Sequence, residues 1–137
     1  MAGFTDYLED KVINHLFGGT AYTAPGTWYC GLLTAAPTDS AAGTEVSGGS
    51  YARQAIGWTV TGSGTSQAAS NAALTFPTAT TDWGTVTTAG VYDALTGGNL
   101  VAFETLTQSD FVTSNSKQIN SGDIFKIDSG NLKIQLD

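Results

Sequence analysis

Residues 85–106, TVTTAGVYDALTGGNLVAFETL, decide the fold. Two short runs rich in Val, Thr and aromatic residues, 85–93 and 99–106, flank Thr96-Gly97-Gly98, the signature of a β-hairpin. Toward the C-terminus the same grammar repeats in 117–120 (KQIN), 123–127 (DIFKI) and 131–136 (NLKIQL). There Ile124, Lys126 and Asp128 oppose Phe125 and Ile127, and Leu132, Ile134 and Leu136 oppose Lys133 and Gln135. Ser129-Gly130 between the last two runs predicts a second hairpin turn. Toward the N-terminus lie 72–76 (AALTF), followed by a turn from Pro77 to Gly84, then 50–60 (SYARQAIGWTV), which alternates well, with Tyr51, Arg53 and Ala55 one way and Ala52, Gln54 and Ile56 the other. Before them comes 27–34 (TWYCGLLT), an apolar run bounded by Pro25-Gly26 and Ala35-Ala36-Pro37. Residues 38–49 and 61–71 read as loops, the second expected to be the most mobile surface because it holds almost nothing large. Strand follows strand with no helix between, so seven or eight strands are expected in an all-β, antiparallel sandwich or jelly-roll-like architecture.

One segment breaks the period of two. Residues 4–17 (FTDYLEDKVINHLF) place Phe4, Leu8, Val12 and Leu16 four apart, with Tyr7 and His15 flanking the stripe, which predicts an N-terminal amphipathic helix. Asp6 is the expected cap, with Glu9 as its reciprocal partner. Acids early and Lys11 and His15 late suit the helix dipole, and Gly18-Gly19 ends the run. Helix and turn, residues 1–19, are expected to form part of the same domain as the sandwich of residues 20–137. Phe4, Tyr7, Leu8 and Val12 are the surface expected to pack, inside the fold or across a subunit boundary, with the intramolecular option preferred because a single sheet needs a cover.

The composition excludes several functions. The chain has 137 residues, with 21 Thr, 11 Ser and 17 Gly, five basic against twelve acidic side chains, and a formal charge of −7. Five scattered cations give no footprint for nucleic acid. No apolar run approaches the roughly 20 residues of a membrane span, and the start, MAGFTD, lacks the basic and apolar blocks of a signal peptide. A single cysteine, Cys30, and a single histidine, His15, leave neither a disulfide framework nor a His/Cys metal cluster. No cofactor or metal is expected.

Catalysis needs a nucleophile with a base, a carboxylate pair or a metal. His15 has no nucleophile near it in sequence and reads as a structural or subunit-contact histidine. Cys30, in an apolar strand with no basic neighbour, reads as a small buried hydrophobe. Asp93, Asp123 and Asp128 fall near strand ends, where an isolated Asp mostly closes a turn; a glycosidase pair or a calcium site is the alternative. Tyr51, Trp58, Trp83 and Tyr92 are candidates for stacking on a sugar, against the plainer reading that large aromatics fill the core. Non-enzymatic function is therefore expected.

The ordered segments GFTDYLEDKVINHLFGGTAYTAP, WYCGLLTAAPTD, EVSGGSYARQAI, LTFPTATTDWGTVTTAGVYDALTGGNLVAFETL and INSGDIFKIDSGNLKIQLD together resemble a family of small virion proteins of tailed bacteriophages, described as tail-fibre-like or head-decoration proteins. The resemblance spans nearly the whole chain except residues 57–71 and 107–116. It implies a non-enzymatic structural subunit present in several symmetric copies. Two placements follow. As a capsid decoration (cement) protein, trimers would clamp neighbouring major-capsid subunits on the outer shell. As a tail-fibre or baseplate module, the chain would touch other tail proteins and host-surface glycan through exposed aromatics such as Trp58 and Trp83. A polysaccharide-degrading enzyme is a third class, disfavoured because 137 residues leave little room for both cleft and scaffold.

Overall fold

The computed structural model describes residues 3–64, 66–108 and 113–135. They form one helix and a set of short strands, all pairings antiparallel, arranged as a sandwich-like all-β fold. In chain order these are β1 (Gly3–Phe4), α1 (Asp6–Leu16), β2 (Trp28–Ala35), β3 (Thr44–Glu45), β4 (Gln54–Ile56), β5 (Trp58–Thr61), β6 (Gln67–Ser70), β7 (Leu74–Thr75), β8 (Gly84–Val86), β9 (Thr88–Tyr92), β10 (Leu100–Thr105), β11 (Lys117–Ile119), β12 (Lys126–Ile127) and β13 (Lys133–Gln135).

The principal sheet runs β1-β10-β9-β2-β3, with β4 sharing the outer edge of β2 beside β3. Three smaller ladders, β11-β8, β12-β7 and β13-β6-β5, complete the structure. The β9–β10 hairpin read from residues 85–106 forms as expected, closed by Gly97 and Gly98, both with positive φ (62° and 68°) that a side-chain-bearing residue would resist. Its partner on the other side is β2, in register Tyr29↔Tyr92, Cys30↔Val91, Gly31↔Gly90, Leu32↔Ala89 and Leu33↔Thr88. Because this pair lies in the middle of the sheet, all of β9 and residues 30–33 of β2 are buried. That explains why their sequences are apolar on both faces.

Two expected strands each serve two sheets. The alternation of 50–60 runs through Gly57, where the chain leaves the principal sheet (β4) and enters the β5–β6 hairpin. Residues 85–93 likewise split at Thr87, whose N–H donates to the Leu33 carbonyl at 2.9 Å while its own carbonyl accepts from the Leu106 N–H. Alternation carries straight through such corners, so it cannot reveal them. Residues 61–71, expected as a mobile loop, instead contain β6, which pairs with both β5 and β13. Its small Ala68 and Ala69 carry no hydrophobic signal, and only tertiary pairing makes them a strand. The 38–49 loop contributes β3. The hairpin expected around Ser129-Gly130 does not form: β12 pairs with β7 and β13 with β6, and the Gly130 N–H donates to the Ser70 carbonyl at 2.7 Å. Leu136 lies outside the described residues.

The helix begins one residue earlier in its capping than Asp6 would allow. Thr5 is the N-cap, but its Oγ1 donates to the Leu100 carbonyl (2.7 Å) and so makes no capping bond; the Thr5 and Asp6 N–H groups bond the Val101 and Asp39 carbonyls. The helix start is thus tied to β10, and Phe4 belongs to a strand, with Phe4 opposite Ala102. Asp6 and Glu9 remain in the first turn, where the dipole favours them.

The core joins Cys30, Leu32, Phe76, Val86, Val91, Val101, Ala102, Ile119 and Leu132 from all of the ladders. A file of aromatic rings crosses it: Trp83 meets Tyr51 edge-on (5.4 Å between centroids), Tyr51 stacks with Phe76 (6.2 Å), and Phe76 meets Phe125 edge-on (5.8 Å). Truncating the middle of that file, Phe76→Ala, is expected to cost about 3–5 kcal/mol through lost burial and a residual cavity. Urea denaturation followed by tryptophan fluorescence measures it; a loss below about 1 kcal/mol would show that the file does not organise the core.

Candidate functional site

On the face of the principal sheet opposite Cys30 and Leu32, the chain buries its only arginine. Arg53, on the approach to β4, has a side chain 7% exposed and holds Glu45 of β3 with both ends of its fork: Nε donates to Oε1 at 2.8 Å and Nη2 to Oε2 at 2.7 Å. Nη1 donates to the carbonyls of Ala94 and Gly97, each at 2.8 Å, which fastens the β9–β10 turn to the opposite edge of the sheet. The guanidinium lies 3.5 Å from the centroid of the Tyr92 ring. The Tyr51 hydroxyl donates to Glu45 Oε1 (2.7 Å) and accepts the Leu32 N–H (2.9 Å) at the point where the edge of β2 passes from β4 to β3. Gly31 makes room for this cluster: a Cβ there would stand 2.8 Å from Glu45 Oε1 and 2.8 Å from the Tyr92 ring.

The cluster is built to hold chain segments together. Burial pushes the Glu45 carboxyl up, but the hydrogen bonds from Arg53 and Tyr51 and the Arg53 charge outweigh it and leave its pKa below the ordinary value. Burial would lower Arg53, yet its bonds and charge interaction with Glu45 raise it. Burial and the bond to Glu45 raise Tyr51. Every group is therefore fixed in its ordinary neutral-pH state, the opposite of a general acid or base tuned toward neutrality. Cys30 is fully buried, and burial followed by the nearby Glu45 charge pushes its thiol up to about 12, which removes it as a nucleophile.

The other expected site residues fall as follows. Phe4, Tyr7 and Leu8 pack against the core and Val12 is half-buried, so this stripe faces inward. Trp83 is a correction: it is only 6% exposed, its Nε1 donates to the Gly49 carbonyl at 3.0 Å, and its ring abuts Tyr51, so it cannot present a stacking face. Trp58 is half-buried and packed on the core, which leaves it a partial face at most. Tyr51 and Tyr92 belong to the buried cluster. Asp93 accepts from Asn99 twice, and Asp123 accepts from the Asn120 N–H, closing their turns. His15 Nδ1 accepts the Tyr22 N–H at 3.1 Å, tying the helix end to the following segment. Among the described residues, no group of three or more His, Cys, Asp or Glu side chains could hold a metal ion, and no helix is long and apolar enough to cross a membrane.

Opposite the inward stripe, α1 ends in an uncovered one. Ile13 is 57% exposed, Leu16 63% and Phe17 81%, at the i, i+3, i+4 spacing of one helix face. Leu16 reads from its spacing as part of the inward stripe; the helix instead packs on β1 and β10 through its first turns, and its end stands clear. The sequence signal was present, since six large apolar residues in eleven helical positions plus the C-cap exceed what one buried stripe can cover.

Residues 3–135 match the family model described as podophage GP4 fiber I protein gp80. The chain belongs to this family. Comparison with curated proteins gives no match. Membership makes the protein a structural component of a tailed-phage virion, and the podophage fiber I family supplies the setting for both the buried cluster and the bare helix end.

The cluster has a signature in pH. Glu45 has a folded-state pKa below its unfolded value, so its contribution to stability is complete above about pH 4.3 and is lost as the pH falls through the lower folded value. Thermal melts of wild type and Glu45→Gln between pH 7 and pH 2 should differ at neutral pH and converge in acid. A constant difference across that range would show that the Glu45 charge does not hold the cluster.

Proposed function

We propose that this chain is a fibre-type structural subunit, held in the particle through the exposed end of α1, with its β-rich body presented outward. The match to a fibre family over residues 3–135 favours the tail side. The bare Ile13, Leu16 and Phe17 supply the attachment, because three exposed apolar side chains side by side on one helix end gain most by being covered by another protein. The partner is another virion protein or a second copy of the chain. Non-enzymatic action fits the same picture, since the buried ionisable groups are locked in place.

A second reading, capsid decoration, is supported by the acidic balance of −7, suited to a shell exterior away from packaged DNA. There trimers would clamp neighbouring major-capsid subunits, again through the helix end. Copy number separates the two: hundreds per purified particle on a calibrated gel support the head, and a handful supports the tail.

The attachment is tested by Leu16→Lys with Phe17→Lys, cations that suit the helix C-terminus. Both side chains are exposed, so circular dichroism and melting temperature should be unchanged, while incorporation into particles in a complementation assay should fall at least about tenfold, equivalent to 1.4 kcal/mol or more of lost contact. Normal incorporation would remove the helix end from the assembly interface. Point changes serve better than truncating residues 1–17, which would also strip β1 from the edge of β10.

A further inference from the structure

Strand β5 ends its sheet, and among the described residues only β6 pairs with it. Which of its groups face outward follows from the ladder. The Gly57 carbonyl accepts the Asn71 N–H at 2.9 Å, so Gly57, Thr59 and Thr61 turn their backbone groups toward β6. The Ser70 N–H donates the other way, to Leu132 at 2.9 Å, which fits the same alternation. The N–H and C=O of Trp58 and Val60 therefore point off the edge, the Trp58 carbonyl taking only the Asn71 Nδ2 at 3.3 Å and keeping a second lone pair. Proteins usually guard such an edge with charge, proline or extreme shortness. Here β11, β12 and β13 each carry a lysine, while β1 and β3 hold two residues each. Strand β5, WTVT, has four residues and no guard, and Val60 on it is 76% exposed.

We infer that β5 of one molecule adds to β5 of a second copy, antiparallel across a twofold axis at Thr59. The edge is complementary to itself. In that register Trp58 of each copy exchanges N–H and C=O with Val60 of the other, so the outward groups of both edges are used. Trp58 and Val60 share one face of the strand, so each exposed valine comes to lie beside the half-buried indole of the other copy, a favourable aromatic–β-branched pair. Charge selects the same place. At −7 the chain repels its own copies, yet residues 54–81 hold no charged side chain, so two molecules meet there with least repulsion. An edge contact of this kind is small, below about 1,000 Å², and hence weak until copies are concentrated in a particle. Its twofold symmetry sets it apart from the trimer expected from the sequence, and its strands lie apart from the helix end that carries the proposed attachment.

The test uses the full chain in sedimentation equilibrium at concentrations up to about 1 mM, the range in which weak pairs form. Wild type is expected to pass from monomer to dimer, and Val60→Lys, a charge at an exposed position, to weaken the dimer at least about tenfold with an unchanged circular dichroism spectrum. Leu16→Lys with Phe17→Lys should dimerise as wild type does. A second measurement reads the register. Thr59 of the two copies would face each other with Cα atoms about 4.5 Å apart, inside the range of about 4.4–6.8 Å that a disulfide spans, whereas the two Thr61 would stand about 13 Å apart. Both positions are exposed and Cys30 is buried, so mild oxidation should link Thr59→Cys into dimers and leave Thr61→Cys monomeric. A monomer throughout, a trimer, equal linking at both positions, or a dimer lost in the Leu16/Phe17 variant but kept in Val60→Lys would each overturn the inference, the last by moving self-contact to the helix end.

Discussion

The bidentate pair between Arg53 and Glu45 is the constraint on which the rest of the sheet depends. Removing two charges from water is costly, and the cost is offset only if the geometry is good and the remaining donors find partners. Here Arg53 meets two carboxylate oxygens, two carbonyls and one ring, and Glu45 accepts in addition from Tyr51. The consequence is architectural. The outer edge of β2 is shared between β4 and β3, and the Tyr51 hydroxyl fills the gap between them by taking the Leu32 N–H. The turn after β9 is pinned by the same guanidinium. Three segments far apart in sequence are thereby held to a single spacing, and Gly31 exists so that they can approach.

A rigid body of this kind suits a virion component. Its interior holds the ionisable groups in fixed states, its helix start is tied to β10, and its helix end is bare. Apolar surface placed at a helix end, away from the core, is surface that another protein could cover.

The comparison of sequence with structure turns on particular residues. Alternation and turn glycines correctly marked the β9–β10 hairpin, the apolar β2 and the single helix stopped by Gly18-Gly19. They failed at Gly57 and Thr87, where one alternating run passes between sheets, and at β6, whose alanines are strand only because β5 and β13 flank them. The family resemblance drawn from the ordered segments agrees with the fibre family match.

Site residues divided along the same line. Trp83 and Trp58 look alike in sequence, yet one is locked in the core by the Gly49 carbonyl and Tyr51, and the other is half-buried on the hairpin. Nothing in the spacing of Glu45, Tyr51 and Arg53 announces a buried cluster, because a charge pair is legible only once both partners are seen to leave water together. Local chemistry, acting over a few residues, determined the all-β class, the helix and most turns from the sequence alone. Which edges pair, which charges meet and which apolar face stays bare were decided by tertiary structure, because those depend on contacts between residues tens of positions apart.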